Sequence, residues 1–384
     1  MNLWDLGKLS SIATQTGVAA PPSCNACPGP HIELAPNGDG VAVSGGNGDS
    51  LAVQTSTSGP VNTQWAANDE LSDFSYAPRL WIAGTDHVVV IEEHDGSAKI
   101  VAARPGLPVV GSWAPTPNPF QLADRAAAVR PMPDGQHAIE ITDSGTIKIR
   151  TLTTGDVVRQ LDGPRSMAPT VSGQAQHGQD SVAIDPSANY TAIFDYSAEI
   201  TGEGESKIYV TTVATGAVHE IAAGDVAGIT FTNEHLLVQR KSGALEIWNP
   251  DGSSPVNTIR GVSNTSVGPV SDGRDTVVEV ASDQTAQVID YPSGSLLGTL
   301  LIPTGGKNTS TGLVFSANGD DLVTVTESRG ADGTTGDIGE MVDWKMNPQI
   351  WIRLACESVG RDLTPAEWTL YTGSSALPDL RCRG

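Results

Sequence analysis

Long apolar runs are missing from this sequence: nothing approaches the ~18 consecutive apolar residues of a membrane-spanning helix, so insertion into a membrane is not expected. Charged residues are also scarce, at 17%, while Gly 42 and Pro 25 punctuate a chain of 384 residues. Segments must therefore be short and turns many, which excludes long helical bundles and coiled coils. Basic residues are fewer still, with Lys+Arg 22 against Asp+Glu 44 and a formal charge of -22. Nucleic acid and anionic membrane are poor partners for such a surface, because binding a phosphate backbone depends on Lys and Arg neutralising phosphates. The negative surplus suits solubility first and attraction of a basic partner second.

Cysteine is limited to Cys24 and Cys27, which form a CxxC, and to Cys356 and Cys382. A zinc site would need a second close-spaced pair, which is absent. Cys356 and Cys382 are a candidate disulfide tying down the C-terminus, with free thiols as the alternative, so cysteine does not fix the compartment. Met1 to Gly17 carries Asp5 and polar Ser, Thr and Gln where a secretory signal would be apolar, and Pro-Pro-Ser before Cys24 does not resemble a lipid-attachment box. A cytoplasmic location is the expectation.

Catalytic motifs are lacking as well. There is no HExxH, GxSxG, EF-hand loop or GxxxxGK[ST]; Gly305-Gly306-Lys307 runs into Asn308 and lacks the earlier glycine. The histidines (His31, His87, His94, His137, His177, His219, His235) are scattered, and the closest two, His87 and His94, would face opposite sides of one strand. The carboxylate pairs Glu92-Glu93 and Asp69-Glu70 follow from composition and carry no catalytic geometry. The sequons at Asn189, Asn264 and Asn308 are chance-level matches. No catalytic, cofactor-binding or metal-ligating residue is assigned.

What the chain does contain is an internal repeat. A strand, a small turn and a second strand recur as HIELAPNGDGVAVSG, DFSYAPRLWIAG, AAAVRPMPDGQHAIEIT, SVAIDPSANYTAIFDY, GITFTNEHLLVQ, SVGPVSDGRDTVVEV and GLVFSANGDDLVTVT. The first turns fall at Pro36, Pro78, Pro133, Pro186, Thr232, Ser271 and Ala317, at spacings of 39 to 55 residues. Copies continue into a second strand pair with its own glycine turn, at Gly59, Gly106, Gly155, Gly216, Gly252 and Gly294. Apolar residues alternate there, as in Ile147 and Ile149 or Leu245 and Ile247, the period-2 pattern of a half-buried strand. Four antiparallel strands per copy make a propeller blade. The expected fold is all-β, a seven-bladed β-propeller of four-stranded antiparallel blades with a short two-helix tail: residues 1–346 form the propeller and 347–384 the tail. The seventh copy lacks a fourth strand, and a strand at about Lys8 to Thr14 is expected to supply it, with Trp344 rather than Trp4 in its third strand.

On EIWNPDG (Glu246 to Gly252), VDWK and LWDL the chain resembles the WD-repeat β-propellers. It departs from them in lacking the Gly-His pair and in keeping the tight-turn aspartate at Asp283 but not at Ser144 or Ser242. Stability is accordingly expected from apolar packing between blades. The tail reads as a helix from Asn347-Pro348 with an apolar stripe of Ile350, Trp351, Leu354 and Ala355, ended by Gly360. A second helix is capped by Thr364-Pro365-Ala366-Glu367 and presents Trp368 and Tyr371. With Ala355-Cys356, Gly360-Arg361 and the Leu-Thr-x-x-Glu-Trp run, this segment is similar to the tails of propellers at the C-terminus of large bacterial STAND-type signalling NTPases. That resemblance implies a sensor or scaffold whose nucleotide hydrolysis lies elsewhere.

Turns after first and third strands share one face of such a disc and are short. The long insertions fall on the other: Ser197 to Ser206, Ser328 to Gly336, Ala20 to Pro30, Gly111 to Ala123, Gly163 to Gln179 and Pro303 to Ser310. A protein or small ligand is expected on that decorated face and its central channel. The leading expectation is a non-enzymatic interaction or ligand-sensing module of a larger bacterial regulatory protein. The alternative is a propeller hydrolase or lyase with its site at the channel, which would need carboxylates or a histidine converging there.

Overall fold

The computed structural model describes residues 13–17, 31–34, 40–44, 51–55, 63–66, 79–81, 87–91, 97–104, 106–114, 126–142, 144–163, 182–195, 205–260, 270–271, 275–280, 285–301, 309–315, 319–329, 336–347, 364 and 366. Strands run from β1 to β28 through these residues and pair into seven four-stranded antiparallel sheets. Sheet 1 holds β2 (His31–Leu34), β3 (Gly40–Ser44), β4 (Leu51–Thr55) and β5 (Thr63–Ala66), in that order. Sheet 2 holds β6 (Arg79–Trp81), β7 (His87–Ile91), β8 (Ala98–Ala102) and β9 (Val109–Trp113); sheet 3 holds β10 (Ala126–Pro131), β11 (His137–Thr142), β12 (Ile147–Thr151) and β13 (Val157–Leu161). Sheet 4 holds β14 (Val182–Ile184), β15 (Tyr190–Asp195), β16 (Lys207–Thr212) and β17 (Val218–Ala222); sheet 5 holds β18 (Val226–Phe231), β19 (Leu236–Arg240), β20 (Ala244–Trp248) and β21 (Pro255–Arg260). Sheet 6 holds β22 (Val270–Ser271), β23 (Thr276–Val280), β24 (Thr285–Asp290) and β25 (Ser295–Leu301). In sheet 7, β26 (Thr309–Phe315), β27 (Asp321–Arg329) and β28 (Gly336–Lys345) are completed by β1 (Ala13–Gly17) from the other end of the chain.

The first strands touch in succession, β2 with β6, β6 with β10, β10 with β14, β14 with β18, β18 with β22 and β22 with β26. β26 then touches β2, so the series returns to its start. Burial follows the same geometry. Second strands, between neighbours on both faces, carry apolar residues without alternation: Leu236, Leu237 and Val238 of β19 are all fully buried. Fourth strands lie at the edge and are mostly exposed, as in β17. The core is a set of layers between adjacent sheets. Phe194, Ile208 and Val210 of sheet 4 meet Ile229, Phe231 and Val238 of sheet 5, and Leu237 and Ile247 of sheet 5 meet Val277 and Ile289 of sheet 6. The described part is thus all-β, a repeated-sheet, β-propeller-like fold.

The turn glycines are needed where they stand. Gly155, at φ +74, packs its bare Cα against sheet 2, and a Cβ there would lie 2.5 Å from Trp113 Cγ. Trp113 in turn donates its indole N–H to Leu152 O at 2.7 Å.

Three sequence expectations are displaced. The second copy starts later: β6 and β7 flank residues 82–86, so Pro78 precedes the first strand instead of marking its turn. A proline holds its predecessor extended and leads into a strand as readily as out of one. The true second strand, His87–Ile91, contains the fully buried Val88 and Val89 and so shows no alternation to read. The closing strand is Ala13–Gly17, further along than Lys8 to Thr14, with Ala13 opposite Trp344 and Gly17 opposite Glu340. Trp344 does occupy the third strand of sheet 7. Finally, part of the Ser328 to Gly336 insertion is ladder, since Arg329 pairs with Gly336 and Ser328 with Asp337. The tail lies outside the described residues except for Asn347, Thr364 and Ala366.

Candidate functional site

The connections divide by face as the repeat implies. Those after first and third strands are short throughout, for example 132–136 and 152–156 in sheet 3. Long ones follow second or fourth strands: 196–206, 18–30, 114–125, 162–181 and 261–269, to which 67–78 is added by the revised start of sheet 2, whereas 302–308 is no longer than the third-strand turn 56–62. Their side chains fall largely outside the described residues.

The innermost strands decide what chemistry a channel between them could support. Across β6, β10, β14, β18, β22 and β26 no residue is Asp, Glu or His; the two exceptions on first strands are His31 and Glu33 of β2. Ala128, Ala183, Ala227, Thr230, Ser271, Leu313 and Val314 are half-buried along them. Arg130 of β10 is exposed, and its Nη1 donates to Ile184 O of the neighbouring first strand at 3.0 Å.

Carboxylates collect instead in the short turns after the first strands, where they build the turn. Asp134 Oδ1 accepts the amides of Gln136 at 2.9 Å and His137 at 3.0 Å, while Oδ2 meets His137 Nδ1 at 2.7 Å. Partial burial pushes its carboxyl up, but the His137 ring and the two amides outweigh it and hold it below the usual aspartate range. Asp185 Oδ1 accepts the Tyr190 amide at 2.8 Å, and Thr232 Oγ1 accepts the amides of Glu234 at 3.2 Å and His235 at 2.9 Å. These are side chain to backbone turns, and every acceptor is engaged in holding its own loop.

Two polar clusters, one buried between sheets 2 and 3 and one part-buried in sheet 5, are announced by no short motif. Between sheets 2 and 3, the buried Glu140 pairs with Arg150 Nε, and Arg150 Nη1 donates to Gly155 O at 2.8 Å. The guanidinium lies 5.8 Å from the Trp113 ring centroid, and Lys148 Nζ stands 3.9 Å from Glu140 Oε1. In sheet 5, Glu246 Oε2 accepts from Arg240 Nη2 at 2.6 Å and from Trp248 Nε1 at 3.0 Å. Blade packing is therefore not apolar alone. Glu140 and Arg150 are ten residues apart in sequence, and only the antiparallel register, with Ala138 opposite Arg150 and Glu140 opposite Lys148, puts them on one face. A charged pair and an indole in such a seam hold two sheets together.

Two of the described histidines take part in ordered contacts. His137 and His235 each follow the turn of their sheet's first strand, His137 on Asp134 and His235 Nδ1 on the buried Tyr291 hydroxyl at 3.2 Å. Among the described residues no group of three or more His, Cys, Asp or Glu could hold a metal. Cys24, Cys27, Cys356, Cys382, Asp283 and the pairs Glu92-Glu93 and Asp69-Glu70 lie outside the described residues. No helix among the described residues is long and apolar enough to cross a membrane.

No protein-family model matches the chain, and no curated protein matches it. Among solved structures it is similar to a chain of Kuenenia stuttgartiensis hydrazine synthase, with TM-score 0.53 and 12% identity over 80% of this chain and 96% of that one. In all, 1396 solved chains match, so the likeness speaks for a widely used architecture and selects no activity.

Proposed function

We propose that this chain is a seven-bladed WD-type propeller, residues 1–346, closed by its N-terminal strand and followed by a helical tail at 347–384. It works as a non-enzymatic protein-interaction or ligand-sensing module of a larger cytoplasmic, bacterial regulatory protein of the STAND kind. The observation that carries the non-enzymatic reading is the composition of the first strands. From β6 onward they offer no carboxylate or imidazole, and general acid–base or nucleophilic chemistry needs such groups within hydrogen-bond reach of one point. In the turns after β10 and β14, Asp134 and Asp185 accept backbone amides. Long connections gathered on one face of a rigid frame favour recognition there. The WD and STAND assignments rest on the sequence resemblance and on the tail.

The test is a thermal-shift screen of the full chain against small metabolites and peptides, with each hit measured by calorimetry on variants carrying shortened 162–181 or 196–206 connections. Saturable binding lost in those variants supports the reading. Turnover of any screened compound, abolished by a substitution on a first strand or its turn, overturns it.

A further inference from the structure

The face of sheet 4 turned to sheet 3 carries two hydroxyls that the packing leaves unanswered. Side chains alternate between faces along a strand, and Ile193 and Val213 pack with Ile139, Ile141 and Ile147 of sheet 3. Thr191 and Thr211 precede them by one alternation and so share that face. They stand directly opposite one another in the ladder between β15 and β16, at 0% and 1% exposure. Neither Oγ1 has a hydrogen-bond partner among the described residues.

The same level of neighbouring sheets is filled differently. Gly106, Gly155, Gly216 and Gly294 each follow by five residues a third-strand position held by Val101, Arg150, Thr211 and Ile289. Val101 is paired with Val88 in sheet 2 and Ile289 with Val277 in sheet 6, all of them buried. In sheet 3 the pair is Ala138 with Arg150, and there the polar member is bonded to Glu140 and to Gly155 O. Of these four sheets, sheet 4 alone places two hydroxyls at this level, and Thr211 is smaller than Ile289 or Arg150.

A buried hydroxyl without a partner gives up its bonds to solvent and gains none, and native interiors satisfy nearly all such groups. Each threonine hydroxyl is one donor and two acceptor sites. A ligand answering both must donate and accept, and must be small enough to lie between two packed sheets. It must also be neutral, because Ile139, Ile141, Ile147 and Ile149 on the facing strands supply no counter-charge. Water meets these conditions.

We infer that Thr191 and Thr211 form a binding site for an internal structural water in the seam between sheets 3 and 4, bridged by their two hydroxyls. The site is independent of the sensor reading.

A crystal structure of the full chain locates the water directly, and it is expected within ~3.2 Å of both Oγ1 atoms. The nearly isosteric substitutions Thr191→Val and Thr211→Val fix the sign of its contribution. With a water bound, either variant removes one of its partners, so the urea midpoint falls and the folded-to-unfolded ratio drops about fivefold or more. Thr191→Ser keeps the hydroxyl and should keep the water. In a dry seam the valine variants instead delete an unpaired hydroxyl, and the midpoint rises. A midpoint unchanged or raised in either valine variant overturns the inference, as does a crystal structure with no water between the two hydroxyls.

Discussion

The contact between Gly155 and Trp113 gives the sharpest test of how adjacent sheets lock. Gly155→Ala meets two costs. A left-handed residue with a Cβ costs ~1–2 kcal/mol, and forcing a methyl into a filled seam costs ~1–3 kcal/mol. The Cβ would stand 2.5 to 2.8 Å from three atoms of the indole side chain. Trp113 has little freedom to retreat, since it is 3% exposed, hydrogen-bonded to Leu152 O and flanked by the Arg150 guanidinium. The total is ~2–5 kcal/mol. Gly216 separates the two contributions: its φ is +75, but its nearest neighbour would be Leu161 Cδ2 at 3.6 Å, an ordinary contact. Gly216→Ala should therefore cost only the backbone part, ~1–2 kcal/mol. Urea unfolding of both variants, and of Gly155→Ala in a Trp113→Ala background, measures the difference. The excess cost of Gly155→Ala should vanish once the indole is gone, a coupling of ~1–3 kcal/mol. Equal costs for the two glycines, or additivity with Trp113→Ala, would refute the inference that this turn is seated on the neighbouring sheet.

Other outcomes follow from the same structure. Glu140→Ala strands Arg150 and Lys148 in a buried seam and should destabilise by ~3–5 kcal/mol, while Glu220→Ala, whose partner Lys207 is exposed, should change stability by less than ~1 kcal/mol; chemical denaturation compares them. Asp134 is held below the usual aspartate range in the fold. Its contribution is therefore complete above the unfolded value and is lost as pH falls through the folded one. Thermal midpoints of Asp134→Asn and the parent should converge on acidification and differ near neutrality. Deleting residues 1–17 removes β1 and bares the edge of β28, and scattering should report aggregation or loss of a single cooperative transition.

Much of the architecture was legible because it is periodic. Strand–turn–strand copies with glycine turns were enough to place most hairpins, including Ala126–Thr142 and Val226–Arg240, and to expect that one end of the chain completes the sheet of the other. Misplacements occurred where periodicity carries no information. His87–Ile91 is covered on both faces and reads as a featureless apolar run. The closing strand is an edge, ATQTG, and edges such as β13 and β17 are mostly exposed, so the apolar residues of Lys8 to Thr14 drew the boundary too early. The buried charges were invisible for another reason: Glu140, Arg150 and Trp113 belong to three strands of two sheets, and no local pattern encodes their meeting. Of the candidate site, the sequence conveyed which face carries the long connections, since that depends only on strand order.

Strand β1, near one end of the chain, pairs with β28, near the other, and so completes the seventh sheet. Oxidative cross-linking tests it most directly, in a background with the four native cysteines replaced by serine. Thr14 stands opposite Asp343 and Gln15 opposite Val342; in an antiparallel ladder one of two successive pairs is non-hydrogen-bonded, with Cα atoms ~4.5 Å apart, within disulfide range. One of the double variants Thr14→Cys/Asp343→Cys and Gln15→Cys/Val342→Cys should form an intramolecular disulfide in the folded monomer, detected as a two-proton mass loss and faster gel migration. Failure of both pairs to close, with the chain folded, would contradict the account.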